Sequence, residues 1–510
     1  MTKKILFNAT PTEKRAALLE SDKVVELVVE RPDHFRLVGN IYRGRVTSIL
    51  PGIQAAFIDI GLDKCAFLHA TDVDPSLLLE VGNELMERYT GNDSSKRRRI
   101  ARIPIEKVLT VGQEILVQVT KEPISTKGAK VTTQISLAGR FLVLVPDTDF
   151  IGVSKKTQDT KKRVRLKKLI SQIKPKGVGF IVRTIGLKVS ETEFVKEIHM
   201  LLDAWRKAQE EALSGTGPKL VYRELGITTQ VIRDLFSEDV TEVYVDQDDD
   251  YREILNYLKA LSPDLCNRVI RYNQKVPLFD KFNIERDLDR LLKRKVWLKS
   301  GGYILIDRTE ALVAIDVNTG RNVGKSSLEE TIFKTNLDAA AEICRQLRLR
   351  DIGGLIVVDF IDMRNADNRR KIEEAMRKAL AADPTATSMT GLSKFGLMEI
   401  TRKRVRPELQ EFFTNVCPVC EGLGWVFSPE TVISRIDRDL KRSNVRANQV
   451  KLSVHPAVAA YLLKEGEQMK NRLERAHKYQ LLIEQDEELD QDEYNIVPDG
   501  KVKKREQPCD

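Results

Sequence analysis

Six cysteines are spread over 510 residues, and only Cys417 and Cys420 stand close together. Cys65, Cys266, Cys344 and Cys509 are isolated thiols, so a disulfide framework is excluded. Long apolar runs are absent too; none approaches the roughly 20 residues that cross a bilayer. Met1-Thr-Lys-Lys is followed by only Ile5-Leu-Phe before Asn8, which is no secretory leader. No internal repeat is present. These absences predict a cytosolic protein with no membrane span. An acidic excess is also missing. The formal charge is +9 and the pI near 9.0, which favours a polyanionic partner over an acidic surface or a neutral metabolite. What is there suits globular domains: 42% of residues are hydrophobic, and the length allows about three or four domains.

The first 36 residues predict strands at Ile5 to Ala9 and Val24 to Val29 with a polar helical piece between them. Alone they are too short for a core, so they must pair with later chain. From Leu37 to about Lys121 the pattern predicts five short strands in a small barrel, closed by Val117 to Lys121. Alternate residues of a strand share a face. Phe57 therefore falls opposite Ala56, Ile58 and Ile60, and Phe67 opposite Ala66 and Leu68, both on the more polar sides of their strands. Exposed aromatics on adjacent barrel strands make a base-stacking platform, although the same rings could cover core at a domain contact. Lys96-Arg-Arg-Arg99 with Arg102 forms a basic loop suited to tracking phosphates.

Residues 122 to 217 look inserted. They carry strands at Thr132 to Leu137, Phe141 to Val145 and Gly179 to Thr184. A basic stretch runs from Lys155 to Lys168, and Ser190 with Glu193 marks a helix start. Ser214-Gly-Thr-Gly-Pro218 is a linker. Residues 219 to 290 read as an α/β scaffold without a catalytic constellation. Tyr303 to Asp307 and Ala311 to Asp316 are two strands, and Ser326 with Glu329 predicts a capped helix. Gly353-Gly354 stops that helix, and Leu355 to Asp359 is a buried strand. Residues 428 to 496 form a small domain, and the Lys501-Val-Lys-Lys-Arg505 tail reads as disordered.

Asp316 and Asp359 end neighbouring apolar strands, and Asn318 shares the face of Asp316. Each aspartate could be a structural carboxylate at a turn. Together they could hold Mg²⁺, which binds through one or two carboxylates and keeps several waters. The chemistry would be in-line attack on a phosphodiester by metal-activated water. Cys417-Pro-Val-Cys420 is a zinc half-site, since tetrahedral zinc takes four ligands, no second pair exists and the next histidine is His455. A redox pair should open a helix after a strand, and Gly422 and Gly424 argue instead for a metal knuckle. Two chains would then complete one zinc site. A chaperone-type zinc module would need several copies of the motif, and only one is present.

Six stretches, in order, resemble the ribonuclease E/G family: Asn40-Ile-Tyr-Arg-Gly, Ala55-Ala-Phe, Val182-Arg-Thr, Ala314-Ile-Asp-Val-Asn-Thr-Gly, Gly353-Gly-Leu-Ile-Val-Val-Asp-Phe-Ile-Asp-Met, and the Cys417–Cys420 knuckle. The likeness runs from the first strand to about residue 496. The Asn-Thr-Gly variant and the lack of a long disordered C-terminal region bring it nearest to the ribonuclease G branch. The resemblance implies an α/β multidomain fold. Residues 1–36 with 219–290 would form an RNase H-like scaffold without an active site, 37–121 an S1-type OB-fold domain and 122–217 a 5′-sensor domain. A DNase I-like catalytic domain would span 291–413, followed by a zinc-link at 414–427, a small dimerisation domain at 428–496 and a tail at 497–510.

It further implies an endoribonuclease that cuts single-stranded RNA, leaving a 5′-monophosphate and a 3′-hydroxyl, in rRNA processing and mRNA turnover. Asp316 and Asp359 would bind Mg²⁺ with Asn318 assisting. Phe57, Phe67 and Lys121 would hold RNA, and Arg183 and Thr184 would sense a 5′-monophosphate. Cys417 and Cys420 would bind a Zn²⁺ shared in a homodimer, with dimers pairing into tetramers. One departure stands out: Ala386 occupies the place of an arginine that the family's 5′ pocket draws from the nuclease domain. Weaker or differently built monophosphate sensing is the expectation. The alternative reading is a non-catalytic S1-type RNA-binding protein with a structural zinc, which gives Asp316 and Asp359 no task.

Overall fold

The structure is a computed structural model that describes all residues except 1, 32–35, 75–103, 124–126, 155, 156, 158, 321–327, 444–447 and 499–510. The expected basic loop at Lys96 to Arg102, the Ser326 cap and the C-terminal basic tail lie outside the described residues. The chain divides into two compact units, Met1–Glu408 and Leu409–Asp510. It is a multidomain mixture of α and β structure. Among the described residues no helix is long and apolar enough to cross a membrane.

The first unit holds four sheets. One has five strands in the order Val269–Arg271, Val240–Val245, Lys3–Ala9, Lys14–Glu20, Lys23–Glu30. The N-terminal strand thus pairs in parallel with chain more than 200 residues away. The polar helix expected between the first strands is itself a strand, Lys14–Glu20. Ala and Leu favour helices locally, but here Ala16, Ala17, Leu18 and Leu19 are buried between two antiparallel neighbours. Ser21 and Asp22, both at positive φ, make the tight turn into the next strand.

The second sheet has six strands; five close into a barrel, and Lys219–Tyr222 pairs with the first of them. Ile41–Leu50 pairs with Ala55–Asp59, then come Ala66–His69, Lys130–Thr132 and Glu114–Lys121, and the last returns to the first. Glu114–Lys121 closes the ring on Ile41–Leu50 as expected, but one barrel strand comes later in the chain. The short Lys130–Thr132 strand slots between Ala66–His69 and Glu114–Lys121, so the barrel extends past residue 121. Three residues are too few to show a period-2 pattern, which hid this strand. The predicted linker after residue 213 is pinned to the barrel. Buried Arg43 donates to the carbonyls of Ala212 (2.7 Å), Gly215 (2.7 Å) and Gly217 (2.8 Å).

The third sheet orders Ile151–Val153, Gly179–Val182, Leu142–Val145 and Leu137–Ala138, with helices Thr160–Ile173 and Glu191–Leu213. The described part of the basic stretch is largely the first of these helices. The second opens on the capping box read from Ser190 and Glu193.

The fourth sheet carries the candidate site. Its six strands run Lys295–Trp297, Tyr303–Arg308, Leu312–Asn318, Gly354–Asp359, Leu397–Arg402, Thr387–Met389. Helices Leu328–Leu349 and Ala366–Ala381 contribute Ala339, Ala340, Ile343, Leu347, Ile372 and Met376 to one core with Ile304, Val313, Ile315, Ile356, Val358 and Ile400. Each such buried aliphatic chain stabilises by about 1.5–3 kcal/mol relative to exposure. Because strand side chains alternate, burying Val313, Ile315 and Val317 sends Ala314 and Asp316 to the open face. Glu329, at the start of the first helix, accepts from the Asn365 amide at 3.2 Å and so ties that helix to the loop beyond Asp359. The Gly354 turn needs φ +98°, and a Cβ on Gly353 would meet the Arg404 side chain at 2.7 Å.

The second unit holds a three-strand sheet, Gln480–Gln485, Gln449–Val454, Tyr494–Pro498, with helices Pro429–Ser443, Pro456–Leu462 and Lys464–His477.

Candidate active site

Asp316 and Asp359 are register partners on the parallel pair Leu312–Asn318 and Gly354–Asp359. Their strands lie about 4.8 Å apart, so both carboxylates project from the same open face. Both are exposed. Asn318, two residues on and half-buried, donates from Nδ2 to Asp316 Oδ2 at 2.7 Å, which orients that carboxylate. Partial desolvation, then the charges of Asp316 and Asp362, push the Asp359 carboxyl above its ordinary range. The crowding of negative charge around Asp359 would be relieved by a cation. Hard oxygen donors suit Mg²⁺, whose remaining positions go to water and phosphate oxygen. Among the described residues no group of three or more His, Cys, Asp or Glu could hold a metal, so any cation here rests on the pair alone.

Two further carboxylates lie near the pair, Asp307 and Asp362, and they differ. Asp307 is taken up by the Arg294 guanidinium, with Nη2 to Oδ2 at 2.7 Å and a second bond from Nε. Asp362 is exposed and acts on Asp359 through its charge. Its place three residues past Asp359 was the only signal for it, and the loop geometry that brings it back is not a sequence period.

On the barrel, Phe57 and Phe67 are register partners and meet edge to face, ring centroids 6.1 Å apart. The row continues from Phe67 to Lys130 and from Lys130 to Lys121. Ser48, Phe57, Phe67, Lys130 and Lys121 therefore lie across the outer face, opposite the core of Val46, Ala56, Ile58 and Leu68. The structure joins the three residues expected to meet there and adds two. Lys130 reaches Asp72 at 2.7 Å, and the His69 ring lies 6.5 Å from Phe67.

Arg183 and Thr184 follow the Gly179–Val182 strand. Arg183 donates to Asp234 Oδ1 and the Gly139 carbonyl, both at 2.6 Å. Burial would raise the Asp234 carboxyl, but Arg233 and Arg183 overcome it and hold it low. Thr184 Oγ1 lies 3.1 Å from Ser154 Oγ, and Arg163 donates to the Ser154 carbonyl at 3.0 Å. A phosphate at Arg183 would have to share that guanidinium with Asp234. Ala386 is exposed beside the Thr387–Met389 strand, and its carbonyl accepts from the Lys403 amide at 3.0 Å.

In the second unit, Cys417 to Gly424 form turns closed by Glu421 N to Cys417 O (2.8 Å) and Leu423 N to Cys420 O (2.7 Å). Glu421, Gly422 and Gly424 have positive φ. Backbone N–H groups of Gly424 and Gly422 pull the Cys420 thiol below its usual value. The pair does not open a helix after a strand. Two thiols with amide support fit one half of a tetrahedral zinc site, and no further ligand stands beside them among the described residues.

The model of the "Ribonuclease E/G family" matches residues 136–405, and that of the "RNase E/G, Thioredoxin-like domain" matches residues 416–500. Ribonuclease G of Escherichia coli (strain K12) is 38% identical over 98% of this chain and 100% of its own length. Ribonuclease G of Haemophilus influenzae is 36% identical over 90% of this chain and 92% of its own. Ribonuclease E of E. coli K12 is 35% identical over 99% of this chain but only 46% of its own length. These relatives disfavour the reading as a non-catalytic RNA-binding protein. The chain belongs to the ribonuclease E/G family and is an endoribonuclease.

Proposed function

We propose that the chain cleaves single-stranded RNA hydrolytically at the Asp316–Asp359 pair, in rRNA processing and mRNA turnover. The observation that carries this is the register pairing of the two carboxylates on an open sheet face, with Asn318 holding one of them. Mg²⁺ bound there supplies a cation for the scissile phosphate and lowers the pKa of water. Asp316 and Asp359 would hold that cation, and Asn318 orients Asp316 by donating to its Oδ2. Water oxygen bonds to phosphorus as the P–O3′ bond breaks. The 3′ oxygen takes a proton, leaving a 3′-hydroxyl and a 5′-monophosphate.

The supporting parts follow the same reading. The barrel's closed order, with its third and fifth strands parallel, supports an S1-type OB fold. Phe57 and Phe67 stack bases while Lys121 and Lys130 meet phosphates. The sheet uniting residues 3–30 with 240–271 supports the RNase H-like scaffold, and the six-strand sheet the DNase I-like domain. Arg183 and Thr184 receive a 5′-monophosphate, less tightly for want of an arginine at Ala386. Cys417 and Cys420 share Zn²⁺ with a second copy in a homodimer, and dimers pair into tetramers. Val416, Leu423 and Trp425 beside them are 71%, 60% and 72% exposed, an apolar surface suited to such a partner.

The test is incubation of one single-stranded RNA of defined 5′ end with Mg²⁺ and with EDTA, followed by mapping of product ends. Cleavage only with Mg²⁺, giving 5′-monophosphates, is expected. Cyclic-phosphate products, or cleavage in EDTA, would overturn the mechanism.

A further inference from the structure

The open face of the nuclease sheet carries a second feature beyond the carboxylates. Register runs from Asn318 to Tyr303 and from Tyr303 to Trp297, on three successive strands. One row along, it runs from Asp359 to Asp316, Leu305 and Lys295. Trp297 and Tyr303 therefore share the face of Asn318, and Lys295 shares that of Asp316. The two rings meet edge to face at 5.5 Å, and Lys295 Nζ sits 4.1 Å from the Trp297 ring centre and 3.6 Å from that of Tyr303. Val296, between Lys295 and Trp297, packs on the opposite, core side.

Trp297 is 63% exposed on an edge strand. A large apolar ring left in water beside a catalytic pair is costly unless something covers it. The same grouping of two edge-to-face aromatics with lysine in register occurs on the barrel at Phe57, Phe67 and Lys130. The occupant's chemistry follows from the surroundings. Lys295 Nζ, the charge set over both rings, is positive, and the chain as a whole carries a formal excess of nine positive charges. That excess favours a phosphate backbone over an acidic or apolar protein surface.

We propose that Trp297, Tyr303 and Lys295 form a nucleotide subsite of the cleavage site, resting on the catalytic reading above. A base of the single-stranded substrate stacks on the Trp297 ring, whose edge-to-face contact with Tyr303 holds it in place. Lys295 Nζ, fixed over both rings, meets the adjoining phosphate. The nucleotide held is one on the Asn318 side of the scissile phosphate, away from Asp359. Stacking makes the subsite tolerant of sequence while fixing the substrate's register against the carboxylates.

The test uses the full chain in EDTA, where binding is separated from cleavage, with a single-stranded RNA oligonucleotide and inorganic polyphosphate as probes. Trp297 fluorescence, taken as wild type minus Trp297→Phe, should be quenched by RNA and not by polyphosphate. By anisotropy of a labelled oligonucleotide, Trp297→Ala should weaken binding about fivefold or more, and Trp297→Phe should restore most of it. With Mg²⁺, Trp297→Ala should raise KM by a similar factor and change kcat little. Quenching by RNA in a chain that does not cleave would keep this subsite and refute the catalytic reading. No RNA-dependent quenching would overturn the subsite, as would equal quenching by polyphosphate. Quenching that tracks protein concentration instead of RNA would also overturn it and make the face a contact between copies.

Discussion

At the scale of single residues, Asp359 is the informative carboxylate. Its proton is held above the ordinary carboxylate range by partial burial and by the charges of Asp316 and Asp362. A proton and a divalent cation compete for the same oxygens, so cation affinity rises as Asp359 ionises. At limiting Mg²⁺, cleavage should climb with pH over a window shifted upward from that of a free aspartate. Asp362→Asn removes one of the like charges, lowers the Asp359 pKa and should move the acid limb to lower pH. A pH–rate profile of the two proteins at one subsaturating Mg²⁺ concentration checks this; coincident acid limbs would contradict it. Asp316, Asn318 and Asp359 were legible in the sequence because strand alternation alone puts Asn318 with Asp316. Asp362 was not, since a loop carries no such period.

At the scale of elements, the nuclease sheet depends on a buried ion pair next to the segment that lacks the family's arginine. Arg402 and Asp383 are each under 5% exposed. Arg402 Nε donates to Asp383 Oδ2 at 2.8 Å, and Nη1 to the Ile352 carbonyl at 3.0 Å. Asp383→Ala takes the nearest carboxylate from a buried guanidinium, leaving Asp351 at 3.8 Å, and should cost about 3 kcal/mol of stability in chemical denaturation. A loss below about 1 kcal/mol would show that water reaches the site. The elements differ in how plainly sequence announces them. Leu312–Asn318 and Gly354–Asp359 declare themselves by β-branched residues and by glycines that stop the preceding helix. Lys14–Glu20 reads locally as helix, and only pairing on both edges makes it a strand. Lys130–Thr132 and Lys295–Trp297 are too short to show alternation, which is why the barrel's last strand and the exposed Trp297 escaped a pattern-based reading.

At the scale of the whole molecule, the +9 formal charge fits a polyanionic substrate, and the zinc site proposed at Cys417 and Cys420 would need a second chain to complete it. If zinc joins two chains as proposed, removing it with a chelator, or replacing both Cys417 and Cys420 by Ser, should leave only monomer in light scattering, and Zn²⁺ should restore a dimer to the chelated protein but not to the variant. A dimer indifferent to both would refute the shared site. The family was legible because six separated stretches fall in its order, whereas pairing between residues 3–9 and 240–245 is long-range and leaves no local signal. The central claim is that Asp316 and Asp359 together make the cleavage site, and Asp316→Asn tests it most directly. Cleavage of single-stranded RNA in saturating Mg²⁺ should fall by about 100-fold or more, while binding of the same RNA in EDTA stays within about twofold of wild type. Unchanged cleavage by Asp316→Asn would contradict the account.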